Sequence, residues 1–183
     1  MKRTLLSIWE MLEVIIIAVV TVFLIRSFLI QPFVVSGASM EPNFSDGNYL
    51  LVDEITYRFK EPERGEVVVF RYPLNKDLFF IKRIVGMPGE EVSYEHGGVK
   101  ITGPQGTRTI REPYLGSENE TFDFFSPVTL GADQYFVLGD NRSKSFDSRN
   151  WGAVDRTNII GIARLRVFPL AKFQIFNTPA YQE

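Results

Sequence analysis

Beyond residue 32 the chain never repeats its apolar residues at helical spacing for a useful length. It gathers them instead into runs of four to ten, each closed by turn-forming residues. The runs are Asn48 to Glu54, Glu66 to Tyr72, Phe79 to Val85, Glu91 to Tyr94, Val99 to Thr102, Thr107 to Arg111, Tyr135 to Leu138 and Ile159 to Phe168. Between them stand Ser45-Asp46-Gly47, Glu63-Arg64-Gly65, Met87-Pro88-Gly89, His96-Gly97-Gly98 and Gly103-Pro104, whose residue types supply turn conformations. The pattern predicts a mostly β fold, an antiparallel folded-over sheet or partial barrel. Residues 97–134 are richer in turn and polar residues and are expected to form a small peripheral β lobe, the chain returning to the core at Tyr135.

The first 31 residues are of another kind. Lys2 and Arg3 precede Leu5 to Ile30, which is apolar apart from Ser7, Glu10, Glu13, Thr21, Arg26 and Ser27. The uncharged run Val14 to Ile25 is shorter than the roughly 20 residues of a membrane span. Snorkelling of Arg26, with Glu10, Glu13 and Trp9 at the near interface, extends it to that length. A cleavable signal peptide has the same basic start, and Val35-Ser36-Gly37 offers small residues for its cleavage, but the apolar region is long for one. An amphipathic surface helix is disfavoured because Val14 to Ile25 is apolar all round. The expectation is therefore one N-terminal transmembrane helix within 1–31, its N-terminus cytoplasmic, and an extracytoplasmic β domain over 32–183.

Composition excludes several chemistries. The formal net charge is −2, with no basic stripe, so nothing points to nucleic acid. There is no Cys and a single His, which removes thiol catalysis, disulfides and structural zinc; no cofactor or metal is expected. With 16 Phe, the chain has apolar surface for a core and to spare for a membrane or a peptide.

What remains is hydroxyl chemistry. In Ser36-Gly37-Ala38-Ser39-Met40-Glu41-Pro42, Ser39 has small neighbours upstream and a helix-incompatible Pro42 downstream, so other groups can approach its hydroxyl closely. A serine becomes a nucleophile only when a base takes its proton. His96 sits in a sequence that reads as an exposed hairpin turn, which leaves lysine. In Phe79-Phe80-Ile81-Lys82-Arg83-Ile84-Val85, strand periodicity puts Lys82 on one face with Phe80 and Ile84. Burial there would lower its pKa to about 5 to 8, within reach of a general base. A surface lysine lying over apolar neighbours is the other reading, and residue types alone leave both open. The loop Gly139 to Arg149 adds polar density after an apolar strand: Asp147 and Arg149 can pair, and Ser145 can bond a buried amine. A well-capped turn has the same composition.

Taken in order, the apolar anchor, the serine box Ser36 to Pro42, the strand Gly65 to Phe70, the lysine box Lys82 to Gly89 and the closing box Gly139 to Arg149 resemble the bacterial type I signal peptidases. These are membrane-anchored serine proteases that remove signal peptides from exported preproteins. The resemblance implies Ser39 as nucleophile, Lys82 as general base, Ser145 as the group orienting the lysine, and Asp147 with Arg149 as support. It implies an oxyanion bound by the Ser39 backbone N–H; Gly37 stands where some relatives carry a serine that helps, as in the Gram-positive variant. It also implies shallow pockets for small residues near Phe33, Val35, Met40 and Ile81, although residue types leave each of the four equally open to being plain core. Its partners would be preproteins leaving the secretion translocon and the membrane lipid, into which Phe44, Phe124 and Phe125 could dip, plain burial being the other reading of all three.

Two rivals share parts of this pattern. A self-cleaving repressor-type protease has a Ser-Lys pair and a related β core, but the anchor and the lack of a DNA-binding motif argue against it. A membrane-tethered β domain that binds peptide or polysaccharide without catalysis would make Ser39 an ordinary turn residue.

Overall fold

The computed structural model describes residues 9–21, 30–95, 97–115 and 125–177. Residues 9–21 form a helix, α1, and among the described residues no helix is long and apolar enough to cross a membrane. The rest of the expected anchor before Ile30, like His96 and Phe124, lies outside the described residues.

The β domain starts two residues earlier than expected. Strand β1 (Ile30–Val34) pairs antiparallel with β2 (Tyr49–Asp53), Ile30 opposite Asp53 and Pro32 opposite Leu51. Proline is tolerated because β1 is an edge strand whose other side has no ladder to interrupt. A single turn of helix, α2 (Thr56–Phe59), then leads to β3 (Val67–Tyr72). The unbroken apolar run Val67-Val68-Val69-Phe70 marks β3 as packed on both faces. It forms a hairpin with β4 (Asn75–Gly86), which places Lys82 opposite Val68 and Ile81 opposite Val69.

After the turn at residues 87–90 the chain builds a second, four-stranded sheet. Its strands are β5 (Glu91–Glu95), β6 (Gly98–Gly103), β7 (Gly106–Thr109) and β8 (Val128–Thr129), in the order β7-β6-β5-β8. This lobe therefore begins at Glu91 rather than at residue 97, because β5 pairs only with β6 and β8. It is not a loose appendage. Val92, Val99, Ile101 and Phe125 share a buried cluster with Val85, Phe136 and Leu138 of the larger sheet.

The larger sheet is completed by β9 (Gln134–Leu138), β10 (Val154–Asp155), β11 (Ile159–Phe168) and β12 (Gln174–Ile175); a short helix, α3 (Ser148–Trp151), precedes β10. Its order is β1-β2-β11-β3-β4-β9-β10, with β12 beside β11, and every pairing is antiparallel. Bulges in β11 let one strand join β2 along its second half and β3 along its first. Two buried clusters lie on the two sides: one with Val68, Phe70, Ile84 and Val137, the other with Val35, Met40, Phe44, Leu50 and Val67. Phe44 and Phe125, considered above for membrane contact, are core residues at 1% and 7% exposure.

The arrangement leaves two strand edges open beside each other. Among the described residues the outer edge of β1 has no partner, and β4 pairs with β9 only from Arg83 onward, which frees its edge over residues 79–82. Contact between the Phe33 and Phe79 rings, centroids 5.7 Å apart, links the two edges.

Candidate active site

Between these edges lies a cleft of about 450 Å³, lined on one side by Phe33, Val34, Val35, Ser36 and Ser39 and on the other by Leu78 to Lys82. Ser39 sits in the turn after β1, where Phe44 N–H donates to the Met40 carbonyl at 2.8 Å. Lys82 comes from the middle of β4 and is 4% exposed. The two, 43 residues apart in sequence, meet with Lys82 Nζ 2.7 Å from Ser39 Oγ. Nζ also donates to the Ile81 carbonyl at 3.0 Å.

The charge state of that amine follows from its surroundings. Removal from water lowers the Lys82 pKa from 10.5 to about 8, against the pull of the Asp147 and Asp140 carboxylates, which favour the ammonium form. At pH 7 the protonated form still predominates. The neutral fraction is nonetheless far larger than for a lysine in water, and its lone pair can accept the Ser39 proton.

The loop from Gly139 to Arg149 packs directly against the serine turn. Asn141 N–H donates to the Ser39 carbonyl at 3.0 Å, which fixes the backbone that carries the hydroxyl. Gly139 is squeezed between the two segments: a Cβ there would lie 2.4 Å from the Ser39 carbonyl oxygen and 2.1 Å from Ser145 Oγ. Asp147 is fully buried, caps α3, accepts the Gly139 N–H at 3.0 Å, and receives Arg149 through Nε at 2.8 Å and Nη2 at 3.0 Å. The same guanidinium donates to the carbonyls of Arg142 and Ser145, so one ion pair closes the loop on itself.

Not every residue singled out from sequence falls where expected. Phe33, Val35 and Ile81 line the cleft, but Met40 is fully buried among Val35, Phe44, Leu50 and Val67 and does not reach it. The turn at Ser39 sends the following side chain into the core. Ser145 Oγ is buried without a hydrogen-bond partner among the described residues, and Lys82 Nζ bonds Ser39 and Ile81 rather than Ser145. Gly37 adopts φ +88°, and its N–H donates to Asp46 Oδ1 at 2.7 Å.

The cleft also contains residues that sequence reading missed. Leu50 is the cross-strand partner of Phe33 and Val69 that of Ile81, so register alone carries them to the same wall. Behind the dyad lies a buried polar cluster that was missed as well. Arg83 joins Asp140 through Nε at 2.8 Å and Nη2 at 2.6 Å, donates to the Gly65 carbonyl and lies over the Tyr114 ring. Asn43 bridges Asp140 and the Tyr114 carbonyl, and Arg142 pairs with Glu112 while donating to the Gly139 carbonyl at 3.0 Å. Its sequence signal was an arginine inside an otherwise apolar strand, which demands a carboxylate once buried.

A family model described as signal peptidase, peptidase S26, matches residues 8–168. Signal peptidase I of Bacillus amyloliquefaciens is 38% identical over 178 residues, 92% of this chain and 89% of that protein. The probable signal peptidase I-2 of a Synechocystis species is 35% identical over 179 residues, 95% of this chain and 79% of that protein. A crystal structure of a signal peptidase I from Enterococcus faecalis shares 29% identity, covers 56% of this chain and 97% of its own, and has a TM-score of 0.47.

Proposed function

The chain belongs to the signal peptidase, peptidase S26, family, and on that footing we propose that it cleaves signal peptides with Ser39 as nucleophile and Lys82 as general base. It is a serine endopeptidase of the bacterial type I signal peptidase kind. The observation that carries the residue assignment is the 2.7 Å approach of Lys82 Nζ to Ser39 Oγ inside a cleft open to an extended chain.

In this reading the neutral amine of Lys82 accepts the Ser39 proton as Oγ attacks the carbonyl carbon after the last signal-peptide residue. The tetrahedral oxyanion is met by the Ser39 N–H, which donates to no acceptor among the described residues. As the oxyanion collapses, the Lys82 ammonium returns its proton to the departing amine. A water then attacks the acyl-serine ester, giving a proton to Lys82; as this second tetrahedral intermediate collapses, the C–Oγ bond breaks, the Lys82 ammonium returns the proton to Ser39 Oγ, and the signal peptide leaves with a free carboxylate. Asp147 and Arg149 keep the Gly139 to Arg149 loop rigid against Ser39. A role for Ser145 requires its unpartnered hydroxyl to bond the lysine as substrate enters.

The substrate is read as an extended segment lying between the free edges of β1 and β4, gaining main-chain hydrogen bonds from both. Phe33, Val35 and Ile81, with Leu50 and Val69, leave shallow apolar recesses suited to small side chains and closed to large ones. The N-terminal segment is read as a single anchor with its N-terminus in the cytoplasm and residues 32–183 outside. Lys2 and Arg3 support that orientation, and the uncovered apolar side chains of α1 suit a lipid environment. Preproteins would then reach the cleft from the translocon along the outer membrane surface.

The test is cleavage of a preprotein by detergent-solubilised full-length protein. Ser39→Ala and Lys82→Ala each remove cleavage, and Lys82→Arg, which keeps the charge but holds its proton, does the same. Wild-type rates in any of the three refute the mechanism. Absence of cleavage by the unaltered protein, with retained peptide binding, would favour the binding-module reading.

A further inference from the structure

A tetrahedral oxyanion stabilised by a single N–H is held at one point only, and acyl-transfer sites ordinarily aim at least two donors at it. The serine turn offers few. Gly37 N–H is occupied by Asp46 Oδ1 at 2.7 Å. A side-chain donor at position 37 is also unfavourable, since φ +88° is strained for any residue with a Cβ, although the space around it is empty.

Among the side chains that line the cleft, three carry a hydrogen-bond donor: Ser36, Ser39 and Lys82. Ser39 and Lys82 are the reacting pair. Ser36 is exposed and its hydroxyl makes no hydrogen bond to any described residue. Its position is nonetheless fixed from both sides. Upstream, Val35 N–H donates to the Asn48 carbonyl and the Val35 carbonyl accepts from Gly47 N–H, both at 2.9 Å. Downstream, the carboxylate of Asp46 holds Gly37. A single residue is thus pinned at each neighbour while its own side chain is left unoccupied at the edge of the site.

We propose that the Ser36 hydroxyl is the second donor to the oxyanion, with Asp46 as the residue that positions it through Gly37 N–H. The assignment rests on Ser39 being the nucleophile. It places the side-chain donor three residues before the nucleophile, with the left-handed Gly37 between them.

The experiment is steady-state kinetics of the full-length protein in detergent on a preprotein substrate. It is paired with binding of two probes: a peptide aldehyde of the cleavage-site sequence, which forms a tetrahedral adduct, and the product peptide, which does not. Ser36→Ala lowers kcat by about 10² to 10³-fold, in the range seen for loss of one oxyanion donor, with KM little changed. It weakens the aldehyde in parallel and leaves the product peptide untouched. Ser36→Thr keeps the hydroxyl and retains most of the rate. A Ser36→Ala protein with wild-type kcat, or one that loses aldehyde and product binding equally, overturns the assignment. Ser39→Ala separates the two claims: if it is inactive while Ser36→Ala is fully active, only the second donor is wrong. If Ser39→Ala still cleaves, the nucleophile reading falls and takes this one with it.

Discussion

Arg83 and Asp140 form a two-point ion pair, 2.8 Å and 2.6 Å long, in the protein interior one residue from Lys82 along the strand and one from Gly139 along the loop. The pair joins β4 to the loop that supports the serine. It also bears on the charge state of the dyad, because the Asp140 charge, after that of Asp147, favours the ammonium form of Lys82.

Asp140→Asn therefore has two consequences of different kinds. It leaves the Arg83 guanidinium buried without its counter-charge, which is expected to destabilise the protein by about 3 to 5 kcal/mol in chemical denaturation. It also removes one of the two carboxylates that raise the Lys82 pKa, so the acid limb of the pH-rate profile of the remaining activity moves to lower pH. A profile that stays in place while stability falls would mean the Asp140 charge does not reach the amine.

The pH dependence of the unaltered protein follows from the same group. Lys82 acts only when neutral, and burial places its pKa at about 8, so kcat/KM rises as pH increases through that value. A profile flat between about pH 6 and 9 would exclude Lys82 as the base whose ionisation limits the rate.

Gly139→Ala tests the packing of the loop on the serine turn. The added methyl meets the Ser39 carbonyl, which is backbone and tied to Asn141 N–H, so the loop rather than a flexible side chain must shift. Overpacking of this sort destabilises by about 1 to 3 kcal/mol. The larger effect is expected on kcat, since displacement by a fraction of an ångström misaligns Ser39 and Lys82. Unchanged kcat with only a lower melting temperature would show that the loop does not position the dyad.

How far the sequence alone reaches is plain from particular residues. Val67 to Tyr72 and Ile159 to Phe168 declare themselves as strands because both are rich in β-branched and aromatic residues, and the unbroken apolar run Val67 to Phe70 suits a strand packed on both faces. Strand β1 was hidden by Pro32, which reads as a stop unless the strand is known to lie at an edge. The hairpin of β5 and β6 is local, but the sheet to which β5 belongs is decided by its pairing with β8, more than 30 residues away, and no turn residue records that. The meeting of Ser39 and Lys82 is likewise long-range. Residue types left the lysine undecided between surface and interior, and only the ordered resemblance paired it with the serine. Met40 shows the converse limit: adjacency to Ser39 says nothing about which way a tight turn sends its side chain.

The burial of Lys82 also makes the stability of the protein depend on pH. Its pKa falls from 10.5 in the unfolded chain to about 8 in the native protein, so between those values the unfolded state binds more protons and native stability rises with pH. Below about pH 8 both states carry the proton and the fold bears the full penalty of the buried ammonium, on the order of 3 kcal/mol for a change of this size. Lys82→Met keeps the length and apolar stem while removing the charge. It gives up the contacts of Nζ with Ser39 and the Ile81 carbonyl, groups that water in the open cleft can satisfy. The variant is therefore expected to be inactive yet more stable than the unaltered protein at pH 7, by about 1 to 3 kcal/mol in urea unfolding. The advantage shrinks as pH climbs toward 10.5, where the native lysine is already neutral. A variant less stable at pH 7, with a difference that does not change with pH, would show that the amine is not held against its preferred charge state, and the source of its basicity would have to be sought elsewhere.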